Sequence, residues 1–308
     1  MTAPTELTLP RRGLSREARG WWLGALGVAI FALSIPMTRL ASGSLAEPQL
    51  PAVFVAIGRA ALAGLLALGW LLAVRAPRPR ADQWPRLALT AAGVVFGWPL
   101  FLGFAVQRVD AVHASVVSGV LPIATAAIGA ALLRQRPRAG FWACALLGTA
   151  LVMAFAWWRG GAGFQLADAL LLAAVLCAAF GYVQGARLST GVQPMAPEQV
   201  ISWLLVLSLP LTLPIAFATF PSAPVRASAW LGFGYVSVFS MWLGFFAWYR
   251  GLALGGTLAV SQVQLLQPFL SMWLAVPVLG ESLDVATVAF SVAVMATVII
   301  SKRMGQQL

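Results

Sequence analysis

Residues 114–125 read ASVVSGVLPIAT, and residues 260–271 read VSQVQLLQPFLS. The two stretches stay in register at an offset of 146 positions. Ser115 falls on Ser261, Ser118 on Gln264, Pro122 on Pro268 and Thr125 on Ser271. Positions i, i+3, i+7 and i+10 share one face of a helix turning 100° per residue. Each stretch therefore predicts an apolar helix with one polar stripe and a proline near its middle. Such a proline removes a backbone bond, kinks the helix and frees a carbonyl, which is tolerated at membrane depth only under cover of protein or water. Pro and Gly are common in transmembrane helices, so one such proline means little. Two at matched positions in matched stripes predict a shared role and mark Pro122 and Pro268 as structural hinges.

The surrounding chain has a membrane composition. Of 308 residues, 60% are hydrophobic and 9% charged, against about a quarter charged in soluble domains. Ten apolar stretches are long enough to cross a bilayer: roughly 20–40, 50–74, 84–106, 110–133, 138–157, 164–185, 198–220, 228–249, 256–279 and 283–301. Helices are the open option, because lipid offers bare backbone no partner. The expected fold is all-α, a polytopic membrane protein of ten transmembrane helices. The net charge of +11 lies mostly in short gaps, where it sets topology and does not call for nucleic acid. With the N-terminus inside, fifteen Lys and Arg fall on the inner side and four on the outer, leaving Arg59 within a span. Both termini are thus expected in the cytoplasm, with the chain multi-pass in the inner (plasma) membrane. Arg11, Arg12, Arg16 and Arg19 precede an apolar run that continues through Met37, read as a retained first helix and not a signal peptide. One His and two scattered Cys leave no set of metal ligands, and no cofactor is expected.

Five is an odd number of spans, so a second copy of five must enter the membrane inverted. The expected division is a cytoplasmic tail at 1–19, a first repeat at 20–158, a second at 159–302 and a cytoplasmic tail at 303–308. The loops agree. ALLRQRPR (131–138) and PVLGESLD (277–284) occupy the same turn in the two copies. Three arginines hold the first inside, and the second, expected outside, has no basic residue. Glu281 and Asp284 are read as a turn and a helix start, where carboxylates suit the dipole. Two inverted bundles around a midplane site are the architecture of alternating-access transporters.

These residues resemble the EamA family of the drug/metabolite transporter superfamily, over about residues 20–302. The carrying features are Arg59 in AIGRAALAG, the two Ser–x6–Pro copies ASVVSGVLP (114–122) and VSQVQLLQP (260–268), and LGESL (279–283). The resemblance implies two inverted five-helix bundles around a central cavity, with spans 4 and 9 among its walls and spans 5 and 10 peripheral. It also implies outward movement of small metabolites such as amino acids. The chain departs from the family pattern where Arg134-Gln135 stands opposite Gly280-Glu281.

The candidate substrate pathway comprises Arg59, Trp98, Ser115, Ser118, Ser237, Ser240, Gln264, Gln267 and Ser271. Arg59 has three readings: an anchor for a carboxylate or other anion, a pin on helix-end carbonyls, or half of an ion pair with another helix. No Asp or Glu sits in mid-span, which disfavours cation–proton antiport through a buried carboxylate. His113 lies off the stripe, three residues from Asp110, and reads as part of a local interfacial pair. Gln264 and Gln267 suit uncharged or zwitterionic solutes, or act as helix–helix glue. Trp98 and Trp242 lie too deep for interfacial anchoring and either stack on solute or fill core. Gly93 and Gly97 predict a packing seam.

The sequence thus predicts a non-enzymatic secondary transporter whose partners are the bilayer and a small-molecule substrate. The alternative is an intramembrane enzyme or a lipid-carrier flippase subunit, but HExxH, GxSxG and a mid-span acidic pair are all missing. A Walker-type phosphate loop is missing too. Loops this short leave no soluble domain for a sensor or scaffold, and nothing in the sequence speaks for or against a homodimer.

Overall fold

The structure is a computed structural model and describes residues 15–132, 139–159, 164–190, 193–255, 263 and 266–305. The regular elements among them are all helical. They form ten helical stretches: α1 (Arg16–Ser42), α2 (Phe54–Ala73), α3 (Trp84–Val106), α4 (Ala111–Leu132), α5 (Ala139–Arg159), α6 (Leu166–Ser189), α7 (Pro197–Ala218), α8 (Ala227–Gly251), α9 (Gln267–Leu279) and α10 (Val285–Gly305). Seven of these, α1–α4 and α6–α8, are long and apolar enough to cross a membrane. The apolar parts of α5, α9 and α10 are shorter. The ninth expected span, 256–279, is described as a continuous helix only from Gln267. Leu72, Leu146, Phe217 and Trp273 point outward and are 66–79% exposed, the surface of a protein solvated by lipid.

Local chemistry explains the helix ends. Ser15 accepts from the Ala18 N–H at 3.2 Å and caps α1. Asp284 accepts from the Thr287 N–H at 2.7 Å and caps α10. Gly280, with φ +71°, ends α9 in the left-handed region where glycine carries no Cβ penalty. Inside α4 the helix breaks at Gly119–Val120, between Ala111–Ser118 and Leu121–Leu132. Pro122 explains the break, since it has no N–H to give the Ser118 carbonyl. There the Gly119 N–H turns back to Val116 O at 3.0 Å. Three π-helical turns interrupt α2 at Phe54–Gly58, α3 at Ala92–Gly97 and α8 at Val236–Leu243.

The loops sort to two ends. At one end Glu47 pairs with Arg226, Leu45 bonds Gln107, and Glu281 bonds the start of α4. At the other end Arg80 bonds Gln193, Trp203 bonds the Pro77 carbonyl, and Arg250 faces Glu198. The predicted glycine seam is present. A Cβ on Gly93 would lie 2.3 Å from the Cys177 carbonyl, and one on Gly97 2.6 Å from the Cys177 side chain. Helices α3 and α6 therefore touch backbone to backbone. At the periphery α5 packs on α10, Gly148 against Thr297.

Candidate functional site

Two adjoining clefts occupy the middle of the bundle and share Trp98 and Gln267. One is lined by Ser34, Arg59, Tyr182, Ser240 and the rings of Phe31 and Phe245. The other is lined by Ser115, Ser118, Pro122, Pro268 and Ser271. The space open to the centre of a water-sized sphere is about 30 Å³ in the first and about 20 Å³ in the second. A single water needs roughly 10–15 Å³ on that measure. Each of these two clefts therefore admits a water or two.

The π turns place the key side chains. Arg59 follows the turn in α2 and Trp98 follows the turn in α3, while Ser240 lies within the turn in α8. Such turns often mark functional sites. Arg59 is 3% exposed. Its Nη2 donates to Ser240 Oγ at 2.9 Å, and Ser240 Oγ lies 2.6 Å from Ser34 Oγ. This chain of groups ties α2, α8 and α1 together. The Arg59 Nε is buried with no partner among the described residues. No carboxylate among them pairs with Arg59 either. Its hydrogen bond goes to a hydroxyl and not to a helix-end carbonyl.

On the other side of Trp98, Ser115 donates to the Ala111 carbonyl at 2.6 Å and shares a 2.9 Å hydrogen bond with Ser271 Oγ. This joins α4 to α9. Ser118 Oγ is buried and has no partner among the described residues. Pro122 lies at the α4 break, whereas Pro268 stands in the first turn of α9, where a proline costs no intrahelical bond. Ser237 is buried, donates to the Phe233 carbonyl at 2.6 Å and does not line either cleft. Trp242 also turns away, donating to Ser202 Oγ at 3.1 Å. Gln264 and Ser261 lie outside the described residues. Sequence reasoning missed Ser34 and Tyr182. Ser34 and Thr38 stand four apart around Pro36, a short polar stripe that points inward on α1.

The acids work elsewhere. Glu281 accepts from the Ala111 and Val112 N–H groups at 2.8 Å each, so it caps α4 across the bundle and not its own α10. Burial pushes its carboxyl above the ordinary 4.5, the two backbone bonds oppose this, Asp110 adds to the rise and Arg39 subtracts from it. His113 Nε2 lies 2.7 Å from Asp168 Oδ1, both side chains being buried. The histidine thus has a partner on α6, beyond the local one expected from Asp110. Asp168 Oδ2 also accepts from the Gln165 N–H at 2.9 Å. A part-buried and a buried polar contact therefore hold the same end of α4. No group of His, Cys, Asp and Glu among the described residues has the arrangement of a metal site.

Comparison with known proteins adds three findings. Residues 18–162 and 165–302 each match the EamA-like transporter family. A Bacillus subtilis (strain 168) protein, "Uncharacterized transporter YdeK", is 42% identical over 295 residues, covering 95% of this chain and 100% of that protein. A solved structure described as "Crystal structure of protein" superposes with a TM-score of 0.62 at 22% identity, covering 94% of this chain and 99% of the other.

Proposed function

Because the chain belongs to the EamA-like transporter family, we propose that it is a secondary transporter that exports a small metabolite by alternating access. The solute is an amino acid or a related neutral or zwitterionic compound. One observation carries the reading: polar side chains from α1, α2, α4, α8 and α9 converge on two adjoining central clefts, one of them walled by both matched prolines. The family and the transporter-named relative support transport over catalysis.

The proposed architecture is ten spans in two inverted repeats, 20–158 and 159–302. The twofold family match and the sorting of loops to alternate ends support it. The end rich in Arg75, Arg78, Arg80, Arg86, Arg187 and Arg250 is read as cytoplasmic, with both termini there and the chain in the inner (plasma) membrane. The clefts then open by movement of α4 and α9 about Pro122 and Pro268. Glu281 and the His113–Asp168 pair latch the outer end shut.

Counterflow in proteoliposomes tests this. Purified protein is loaded with a panel of amino acids and related metabolites, and uptake is measured with and without a pH gradient. Flux of at least one neutral or zwitterionic solute is expected. No flux for any solute, together with hydrolytic or transferase activity, refutes the reading. Flux unchanged in a Gln264→Ala/Gln267→Ala variant removes the glutamine stripe from the path.

A further inference from the structure

The chain has nine acidic residues: Glu6, Glu17, Glu47, Asp82, Asp110, Asp168, Glu198, Glu281 and Asp284. All but Glu6 are described, and none lines either cleft. Arg59 is thus a buried cation with no carboxylate partner among the described residues and with its Nε unpartnered. A buried charge is costly unless paired. The guanidinium fork is shaped to hold a carboxylate with two parallel bonds. At the far side of Trp98, Ser118 Oγ is a second buried and unpartnered group. Its own carbonyl also lacks a donor from Pro122. Phe31, Trp98 and Phe245 supply apolar walls around Arg59.

Resting on the transporter reading, we infer that the solute is a small organic carboxylate. Its carboxylate completes the Arg59 fork, its apolar body lies against Trp98, and a second polar group, an ammonium or hydroxyl, reaches Ser118. The solute supplies the counter-charge that none of the described residues provides. Amides and decarboxylated amines of the same shape, which keep the ammonium but lack the carboxylate, are excluded, because they leave the buried guanidinium unpaired. The same arrangement rejects simple cations outright.

The test is a matched series on the wild-type protein in detergent: leucine, leucinamide and isopentylamine, the same three forms of phenylalanine and alanine, and sodium chloride alone. Binding is read by calorimetry and thermal shift, and transport by counterflow of the same compounds. At least one acid is expected to bind ten-fold or more tighter than its amide and amine. Arg59→Lys keeps the charge but loses the fork, and weakens that acid at least ten-fold. Ser118→Ala weakens it several-fold while leaving the preference for acid over amide in place. Should Arg59→Lys fail to fold, the analogue series on the wild type still decides.

Amides or amines binding as tightly as acids would overturn the assignment, as would saturation by chloride with no response to any acid, or no binding in the series. Carboxylate-selective binding without flux would overturn transport and leave the Arg59 assignment standing. Flux without carboxylate selectivity would do the reverse.

Discussion

Gly93→Ala tests whether the α3–α6 seam positions the cleft. An added Cβ would sit 2.3 Å from the Cys177 carbonyl and 2.9 Å from the Gly181 Cα and N. All three are backbone atoms, so no side chain can swing aside. To reach van der Waals contact, near 3.4 Å, the helices must part by about 1 Å. Overpacking of this kind costs about 1–3 kcal/mol, while alanine returns about 1 kcal/mol of helix propensity. The net loss is about 0–2 kcal/mol against wild type and about 1–3 kcal/mol against an unobstructed glycine-to-alanine change, a Tm difference from such a control of about 3–9 °C at roughly 3 °C per kcal/mol. Gly69→Ala on α2 is the control, because nothing lies within 4 Å of its added Cβ. Thermal unfolding in detergent compares the two variants, and counterflow reads the cleft, since Trp98 follows directly on the seam. Equal Tm for Gly93→Ala and Gly69→Ala would refute the backbone-contact argument. A lowered Tm with unchanged flux would uncouple the seam from the site.

Three further outcomes are expected. Asp168→Leu removes the acceptor for His113 and for the Gln165 N–H and should cost about 3 kcal/mol; a double-mutant cycle with His113→Phe should show coupling of about 1 kcal/mol or more, and additivity would refute the pair. Burial raises the Glu281 pKa above 4.5, so the folded protein binds the proton more tightly than the unfolded chain; the stability of wild type relative to Glu281→Gln is then full below 4.5 and declines as pH rises through the raised value, and a flat difference between neutral pH and pH 4 would contradict this. Ser118→Ala deletes a buried hydroxyl that has no partner among the described residues and should leave the unfolding free energy unchanged within about 0.5 kcal/mol while lowering counterflow; a clear loss of stability would show that the hydroxyl serves the fold.

Much of this protein was legible in one dimension because lipid leaves a sequence few choices. Helix α3 begins and ends at the expected Trp84 and Val106, and α4 begins one residue after the expected 110, since apolar length alone sets where a helix can cross. The polar stripe of α4 places Ser115 and Ser118 on the second cleft, and the helix breaks just before Pro122. Arg59 announced itself as the one basic residue well away from the ends of a span. Other features carry no such trace. The π turns before Arg59 and Trp98 and around Ser240 add a residue to the turn and so rotate side chains to faces that a 3.6-residue period does not assign. For that reason Ser237 was grouped with Ser240, although only Ser240 reaches the cleft.

Sequence by itself therefore determined the all-helical membrane class, the candidate hinges and the internal resemblance of the two halves, because hydrophobicity and proline chemistry act locally along the chain. Tertiary structure decided which polar groups meet. Glu281 caps a helix 170 positions away, His113 finds Asp168 across the bundle, and Arg59 binds serine with no acid among the described residues paired to it. Those pairings depend on distances between helices, which no spacing along the chain encodes.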